Sequence, residues 1–403
     1  MPFRRQAYIE NARRIIVKVG SNVLTERDGL NLRAVRAISR QICGLIDSGR
    51  QVLLVTSGAM AAGLRKIGLA ARPESVPQRQ AVAAVGQAGL IMEYENAFER
   101  YGLKVAQVLL TSDGISNRKR YLNARNTLNT LLDWQVIPII NENDTVAVES
   151  IEFGDNDNLA AITALLMDAD LLVNLTDIDG LYTRDPRVYP DASLIPEVSV
   201  FKKDLEAYAG CIAGPLGKGG MLSKIRAARK VTAAGIAMII ANGCQENILQ
   251  TIFSGRTTGT FFFPRKQRMT SRKSWIGYSV RPEGTVIIDA GAAHAVLKRG
   301  KSLLPSGVIR VEGTFDVGAP VRFSGPDGTP LGMGLVNYSS SDLARIRGLK
   351  SGDIPKRLGH KTFDEVIHRN NLTITFDDAA ESGPKYPAHK TGPAAKGKIQ
   401  HVH

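Results

Sequence analysis

Histidine is missing from most of this 403-residue chain: all six lie at or beyond His294. Chemistry carried out before that point proceeds without imidazole. This excludes Ser-His-Asp and Cys-His nucleophile systems and HExxH zinc sites there, and it leaves no imidazole general base. Cysteine is almost as scarce. Cys43, Cys211 and Cys244 are odd in number and scattered, so they fit neither a disulfide framework nor a zinc site and point to the reduced cytosol. Long apolar runs are lacking too. No stretch reaches the roughly 18 residues of a membrane-spanning helix, and the start, "MPFRRQAYIENARR", has no apolar segment of the secretory type.

What is present is an ordinary globular balance, 43% hydrophobic and 22% charged residues, with material for two domains. The formal charge of +14 is unevenly placed. Residues 151–200 hold two basic and ten acidic side chains, a block suited to binding cations or ammonium groups. Residues 265–281, "RKQRMTSRKSWIGYSVR", hold six basic side chains and no acidic one. Such a block could touch an anion, RNA or an acidic partner, although a solvated basic connector is the commoner role.

Residues 13–263 alternate short apolar runs ("RIIVKV", "QVLLV", "VAQVLL", "QVIPII", "LLVNL", "AMII") with helical stretches. In 31–48 the apolar positions Leu32, Val35, Ile38, Ile42, Leu45 and Ile46 keep a 3.6-residue spacing, with Asn31 as cap and Gly49 as stop. Strands apolar throughout, separated by helices, predict an α/β domain: a three-layer α/β/α sandwich around a mainly parallel sheet. From about residue 282 short strands broken by Gly and Pro, with a "PDG" turn, predict a small β-barrel-like domain. After about 375 the chain is poor in large apolar residues and reads as a disordered tail. The expected organisation is a domain over 1–265, a basic linker over 266–281, a β domain over 282–360 and a tail over 375–403.

In open α/β sheets ligands collect at the carboxyl ends of the strands. Here those ends read Gly20-Ser21, Thr56-Ser57-Gly58-Ala59, Asn141-Glu142-Asn143-Asp144, Thr176-Asp177 and Ala241-Asn242-Gly243. Lys18 sits inside the first strand, where a charge is costly unless it emerges at an anion. A glycine-rich turn, "GPLGKGGMLSK" (214–224), opens a helix whose N-terminus attracts phosphate, with Lys224 one turn inside. Neither the P-loop pattern nor the dinucleotide pattern is met, since Leu222 occupies the third glycine position. Two lysines and two glycine turns still describe a triphosphate site.

At this point the sequence resembles the amino-acid kinase family over nearly the whole of 13–360. The matching motifs are "VKVGSNVLT", "LVTSGAMAAG", "AAVGQAGL", "LLT", "YLNARNTL", "IPIINENDTVA", "GDNDNLAA", "LTDIDGLYTRDPR" and "GKGGMLSK". "NEND" with "GDNDN", then "RKSWI" and a domain similar to PUA modules, follow the order of the branch whose acceptor is the γ-carboxylate of glutamate. The resemblance implies that Ser57, Asp144 and Asn156 contact bound L-glutamate, and that Asp157 lies between Lys18 and Lys224 and orients both ammonium groups. Asp155 shares that role or binds the substrate ammonium; the sequence does not separate the two. Asn158 is left as the helix cap. Lys18 and Lys224 would hold the phosphates of ATP, joined by Thr176, Asp177, Lys218, Gly219, Gly220, Met221, Leu222 and Ser223.

The missing histidines suit that chemistry. A γ-carboxylate has a reference pKa near ~4.3 and is already a nucleophile at neutral pH. Phosphoryl transfer to it needs in-line placement and charge neutralisation rather than a base. No carboxylate cluster stands out as a metal cage, so Mg2+ is expected to arrive with ATP. The resemblance further implies γ-glutamyl phosphate as product, hand-over to a glutamyl phosphate reductase on the way to proline, inhibition by proline, and a homo-oligomer (dimer or tetramer) in the cytoplasm. One alternative keeps the fold and takes another small carboxylate, such as N-acetylglutamate. The other makes the chain an RNA-binding protein through its PUA-like module. Residues 282–360 weigh against it, with only ten basic to seven acidic groups.

Overall fold

The structure is a computed structural model that describes residues 5–26, 29–147, 156–201, 205, 220–265 and 268–374. Among the described residues, fifteen strands make up two sheets and a ribbon. The larger sheet contains β1 (Arg14–Val19), β4 (Gln51–Val55), β5 (Lys104–Leu110), β6 (Val136–Glu142), β7 (Leu171–Thr176), β8 (Glu197–Val198), β9 (Ala237–Asn242) and β10 (Thr260–Phe262). Its order is β5-β6-β4-β1-β7-β9-β10-β8. Neighbours are parallel from β5 through β9, and only the β9–β10 pair is antiparallel. The small ribbon pairs β2 (Thr25–Glu26) with β3 (Gly29–Leu30).

Why three layers form follows from the period of two. Successive side chains of a strand leave opposite faces. In β1, Ile16 joins one buried cluster while Ile15, Val17 and Val19 join another. In β7, Leu172 goes with the first and Leu171, Val173 and Leu175 with the second. Both faces need cover, and both receive helices. The helices Arg118–Asp133, Asn156–Leu166 and Met221–Ala233 pack on the first face. Leu32–Asp47 and Val76–Glu99 pack on the second. The expected cap of Leu32–Asp47 is in place, with Asn31 accepting from the Ala34 N–H at 2.9 Å, and Gly49 follows the helix in a left-handed conformation.

The second sheet runs β12 (Val308–Gly313), β11 (Gly284–Ile288), β13 (Pro320–Ser324), β14 (Pro330–Leu335) and β15 (Leu372–Ile374). It closes on its own buried cluster, which includes Val286, Phe315, Phe323, Leu343 and Ile367. β15 lies beyond residue 360, where the sequence placed the end of this domain; three residues are too short a strand to show a period.

Between the sheets, part of the expected linker is a helix, Ser271–Tyr278. Trp275 and Ile276 are buried in the cluster of the larger domain, and the Trp275 indole N–H donates to Ile115 O at 3.2 Å. The Arg118 guanidinium lies 4.9 Å over the same ring. Residues 375–403, expected as a disordered tail, lie outside the described residues. No helix among the described residues is long and apolar enough to cross a membrane.

Candidate active site

Because β1, β4, β6, β7 and β9 are parallel, their carboxyl ends lie on one edge of the sheet. The five polar strand ends seen in the sequence are thereby brought together. Lys18 shares its face of β1 with Ile16, the face under the helices Asn156–Leu166 and Met221–Ala233. The same alternation turns Asn174 of β7 to that side, with Leu172. At the centre stands Asp157, fully buried in the first turn of its helix. Its Oδ1 pairs with the Lys18 ammonium and accepts from Asn174 Nδ2 at 2.8 Å. Its Oδ2 accepts from Lys224 Nζ at 3.0 Å and from Ser223 Oγ at 2.6 Å. Burial alone would raise this carboxyl. Lys18 and Lys224, with the hydrogen bonds from Lys18 and Ser223, outweigh it and hold the group well below the usual carboxylate range.

One residue earlier, Asn156 reaches the other way. Its Nδ2 donates to Thr56 O (2.5 Å), Ser57 Oγ (3.0 Å) and Asn141 Oδ1 (3.0 Å), tying the helix start to the ends of β4 and β6. Asn141 Nδ2 in turn donates to Gln87 Oε1 at 2.8 Å. Thr56 Oγ1 shares a buried hydrogen bond of 2.8 Å with Tyr94 OH. So Ser57 and Asn156 are in contact, whereas Asp144 makes no hydrogen bond or ion pair with either. It stands half-buried in the turn after β6, and burial pushes its carboxyl up to about 6 against the weaker pull of Arg72. Asn158, expected as the helix cap, is inside the helix instead. Its side chain donates to Ser112 Oγ (3.2 Å) and accepts from Lys230 Nζ (2.8 Å). Asp155 lies outside the described residues.

The end of β7 supplies the third group. Thr176 Oγ1 donates to Asp177 Oδ1 at 3.1 Å, and Asn22 Nδ2 donates to Asp177 Oδ2 at 2.9 Å. Burial opposes ionisation of Asp177, but these bonds, with Lys224 beyond them, hold it below its ordinary value. Gly20 approaches the backbone here: its N–H donates to Leu175 O at 2.9 Å, and a Cβ built on it would lie 3.3 Å from that oxygen. Gly220 precedes the helix Met221–Ala233 without a side-chain cap; the Ser223 N–H donates to Gly220 O at 3.2 Å, and the Met221 and Leu222 N–H groups ahead of it receive no side-chain cap from Gly220. Met221 is buried in the core and Leu222 packs against it. Lys218 and Gly219 lie outside the described residues.

Sequence reasoning missed Asn141 as a hub, and Asn22, Gln87 and Asn174 altogether. A polar residue inside the apolar run "LLVNL" was the available signal for Asn174; Gln87 had none beyond its place in "AAVGQAGL".

Comparison with known proteins bears on this edge and on the second sheet. The model of the amino acid kinase family matches residues 13–242, and that of the PUA domain matches residues 284–358. A glutamate 5-kinase of Syntrophus aciditrophicus is 49% identical over 92% of this chain and 96% of its own length. Those of Geobacter sulfurreducens and Caldanaerobacter subterraneus are each 50% identical, over 92% and 93% of this chain and 100% and 99% of theirs. Both family matches and the similarity over 92% of the chain agree: the chain belongs to the amino-acid kinase family, and within it to the glutamate 5-kinases that end in a PUA domain.

Proposed function

We propose that the protein transfers the γ-phosphoryl group of ATP to the γ-carboxylate of L-glutamate, giving γ-glutamyl phosphate and ADP, the first step towards proline. The observation that carries this reading is the opposed reach of two neighbouring residues. Asn156 faces the ends of β4 and β6, while Asp157 clamps the two lysines under β1 and β7. One helix start therefore sets the distance between an acceptor pocket and a phosphate pocket, which is the positioning that in-line transfer requires.

The acceptor pocket has the polarity that glutamate asks for. The Asn156 amide nitrogen is committed to three acceptors, which leaves its Oδ1 for a substrate ammonium, helped by the Asp144 carboxylate. The Ser57 hydroxyl accepts from Asn156 and keeps its own hydrogen for a substrate carboxylate. On the other side, Lys18 and Lys224 neutralise charge on the transferring group, and Asp157 holds both ammonium groups charged and aimed. Thr176, Asp177 and the backbone N–H groups of Met221 and Leu222 serve the rest of ATP. Met221 and Leu222 contribute through their backbone, since their side chains belong to the core.

A γ-carboxylate oxygen forms the new bond to phosphorus as the bond to the ADP oxygen breaks. No proton moves, so no base is needed. As for Mg2+, no group of three His, Cys, Asp or Glu side chains among the described residues is set to hold a metal, and Asp157 is taken by lysines. Mg2+ would then come as part of the ATP complex and would neutralise charge on the phosphates. The acyl phosphate hydrolyses readily, so a reductase that consumes it directly is the fitting next step. Cys43 and Cys244 are free thiols, which suits the cytoplasm.

Hydroxylamine trapping tests the reading. With ATP and Mg2+, L-glutamate should give the γ-hydroxamate and N-acetylglutamate little, because an acetylated nitrogen has no charge to offer Asp144. Equal rates with the two acids overturn the glutamate assignment.

A further inference from the structure

We infer that Gln87 is a positioning residue of the acceptor pocket: a neutral buried acceptor that ties down the Asn141 side chain, and through it Asn156. The inference rests on the glutamate-kinase reading above.

The hydrogen-bond chain has one direction. The backbone N–H of Glu142 donates to Asn141 Oδ1 at 3.0 Å, and a backbone N–H cannot be reversed. That atom of Asn141 is therefore the oxygen, and it also receives Asn156 Nδ2. Its amide nitrogen then points the other way, buried, and must find an acceptor. Gln87 Oε1 is that acceptor at 2.8 Å. Committing its oxygen leaves the Gln87 amide nitrogen buried with no partner among the described residues. A glutamate here would keep an acceptor for Asn141, but it would bury an unpaired charge and set a second carboxylate beside a pocket for a dicarboxylate substrate.

The backbone is arranged to deliver this side chain. Gln87, Leu90 and Tyr94 share one face of the helix Val76–Glu99, and all three are buried. The helix crosses Ala59–Ile67 at atomic contact: a Cβ at Gly86 would lie 1.8 Å from Ala59 O, and one at Gly63 would lie 1.9 Å from Val82 O. Those contacts bring Gln87 against the end of β6 and Tyr94 against Thr56 at the end of β4.

Steady-state kinetics on full-length Gln87→Met, Gln87→Glu, Asn141→Ala and the Gln87→Met/Asn141→Ala pair tests this, after trapping has shown that the parent makes γ-glutamyl hydroxamate. A parent that makes none removes the glutamate reading itself. With an active parent, Gln87→Met should raise KM for glutamate about tenfold, the effect of one lost buried acceptor, with KM for ATP within about twofold. In the Asn141→Ala background the same change should add little, because its route is gone. Gln87→Glu keeps an acceptor for Asn141 but buries a charge, so it should melt below the parent while raising KM for glutamate and sparing ATP. It also serves as the readout should Gln87→Met not fold. A parental KM for glutamate in either single variant, a parallel rise for ATP, or the full effect in the Asn141→Ala background each overturns the inference.

Discussion

Replacing Asp157 by asparagine is the sharpest test of the lysine clamp, because the two side chains match in size and differ in what they accept. Among the described residues, Lys18 and Asn174 converge on Oδ1 of this carboxylate, and Lys224 and Ser223 on Oδ2. An amide has one oxygen. Whichever way it turns, its NH2 faces two of those donors, one of them a lysine ammonium, and the negative charge is gone. A hydrogen bond between charged partners contributes about 1.5–3 kcal/mol. Losing the lower figure at each lysine removes about 3 kcal/mol of their placement on the transferring group, or about 100-fold in kcat at ~1.4 kcal/mol per factor of ten. KM for either substrate should change less, since the lysines act mainly on charge that develops during transfer. The assay is hydroxamate formation or ADP release over a matrix of ATP and glutamate, with circular dichroism to establish folding. If Asp157 serves only the helix start, asparagine replaces it well. A folded Asp157→Asn enzyme with kcat within about threefold of the parent refutes the clamp.

The pH dependence of glutamate binding should come from Asp144 rather than Asp157, whose carboxyl is held far below the working range. On the proposed role of Asp144 as partner of the substrate ammonium, only its ionised form attracts, so KM for glutamate should rise as pH falls through about 6. Asp144→Asn should raise KM about 10- to 100-fold at neutral pH and flatten the profile; a parent profile already flat from pH 7.5 to 5 contradicts this. The same raised value means that the native state binds this proton more tightly than the unfolded chain does. Asp144 therefore subtracts stability as pH climbs from about 4. Truncation should discriminate two end points. A chain ending at residue 281 keeps Trp275 and Ile276 in the core, whereas one ending at 265 loses both. Removal of a buried Trp costs about 3–5 kcal/mol, so the shorter chain should melt markedly lower; equal melting temperatures would show that the helix is dispensable.

The alternation of apolar runs with helices was enough to predict the layers, because strands apolar on both faces demand cover on both. The polar ends of β1, β4, β6, β7 and β9 were legible for a related reason: parallel strands bring their carboxyl ends to one edge, whatever their order. Partners across that edge were not legible. That Asn174 meets Asp157 depends on β7 lying beside β1, a fact of topology that no local pattern carries. Gln87 sits in a helix of weak apolar periodicity, where Gly63 and Gly86 decide which face turns inward. Asn158 misled for a simple reason: four cap-forming residues in succession admit several starting points, and Lys230, 72 positions onward, engages the side chain.

The first strand of the chain lies in the middle of the sheet, and this shapes how the enzyme comes into being. As β1 leaves the ribosome, neither of its neighbours exists: β4 follows soon, β7 only after residue 170. Lys18 can meet Asp157 once the chain has grown that far, but Lys224 is made much later, on the far side of a long excursion. Contacts so distant in sequence slow folding, since a large loop must close before they give anything back. A nascent or clipped chain lacking residues after 220 would hold the carboxylate with half its positive charge and show no turnover. Activity is thus a late event in maturation, reporting that both halves of the sheet have joined.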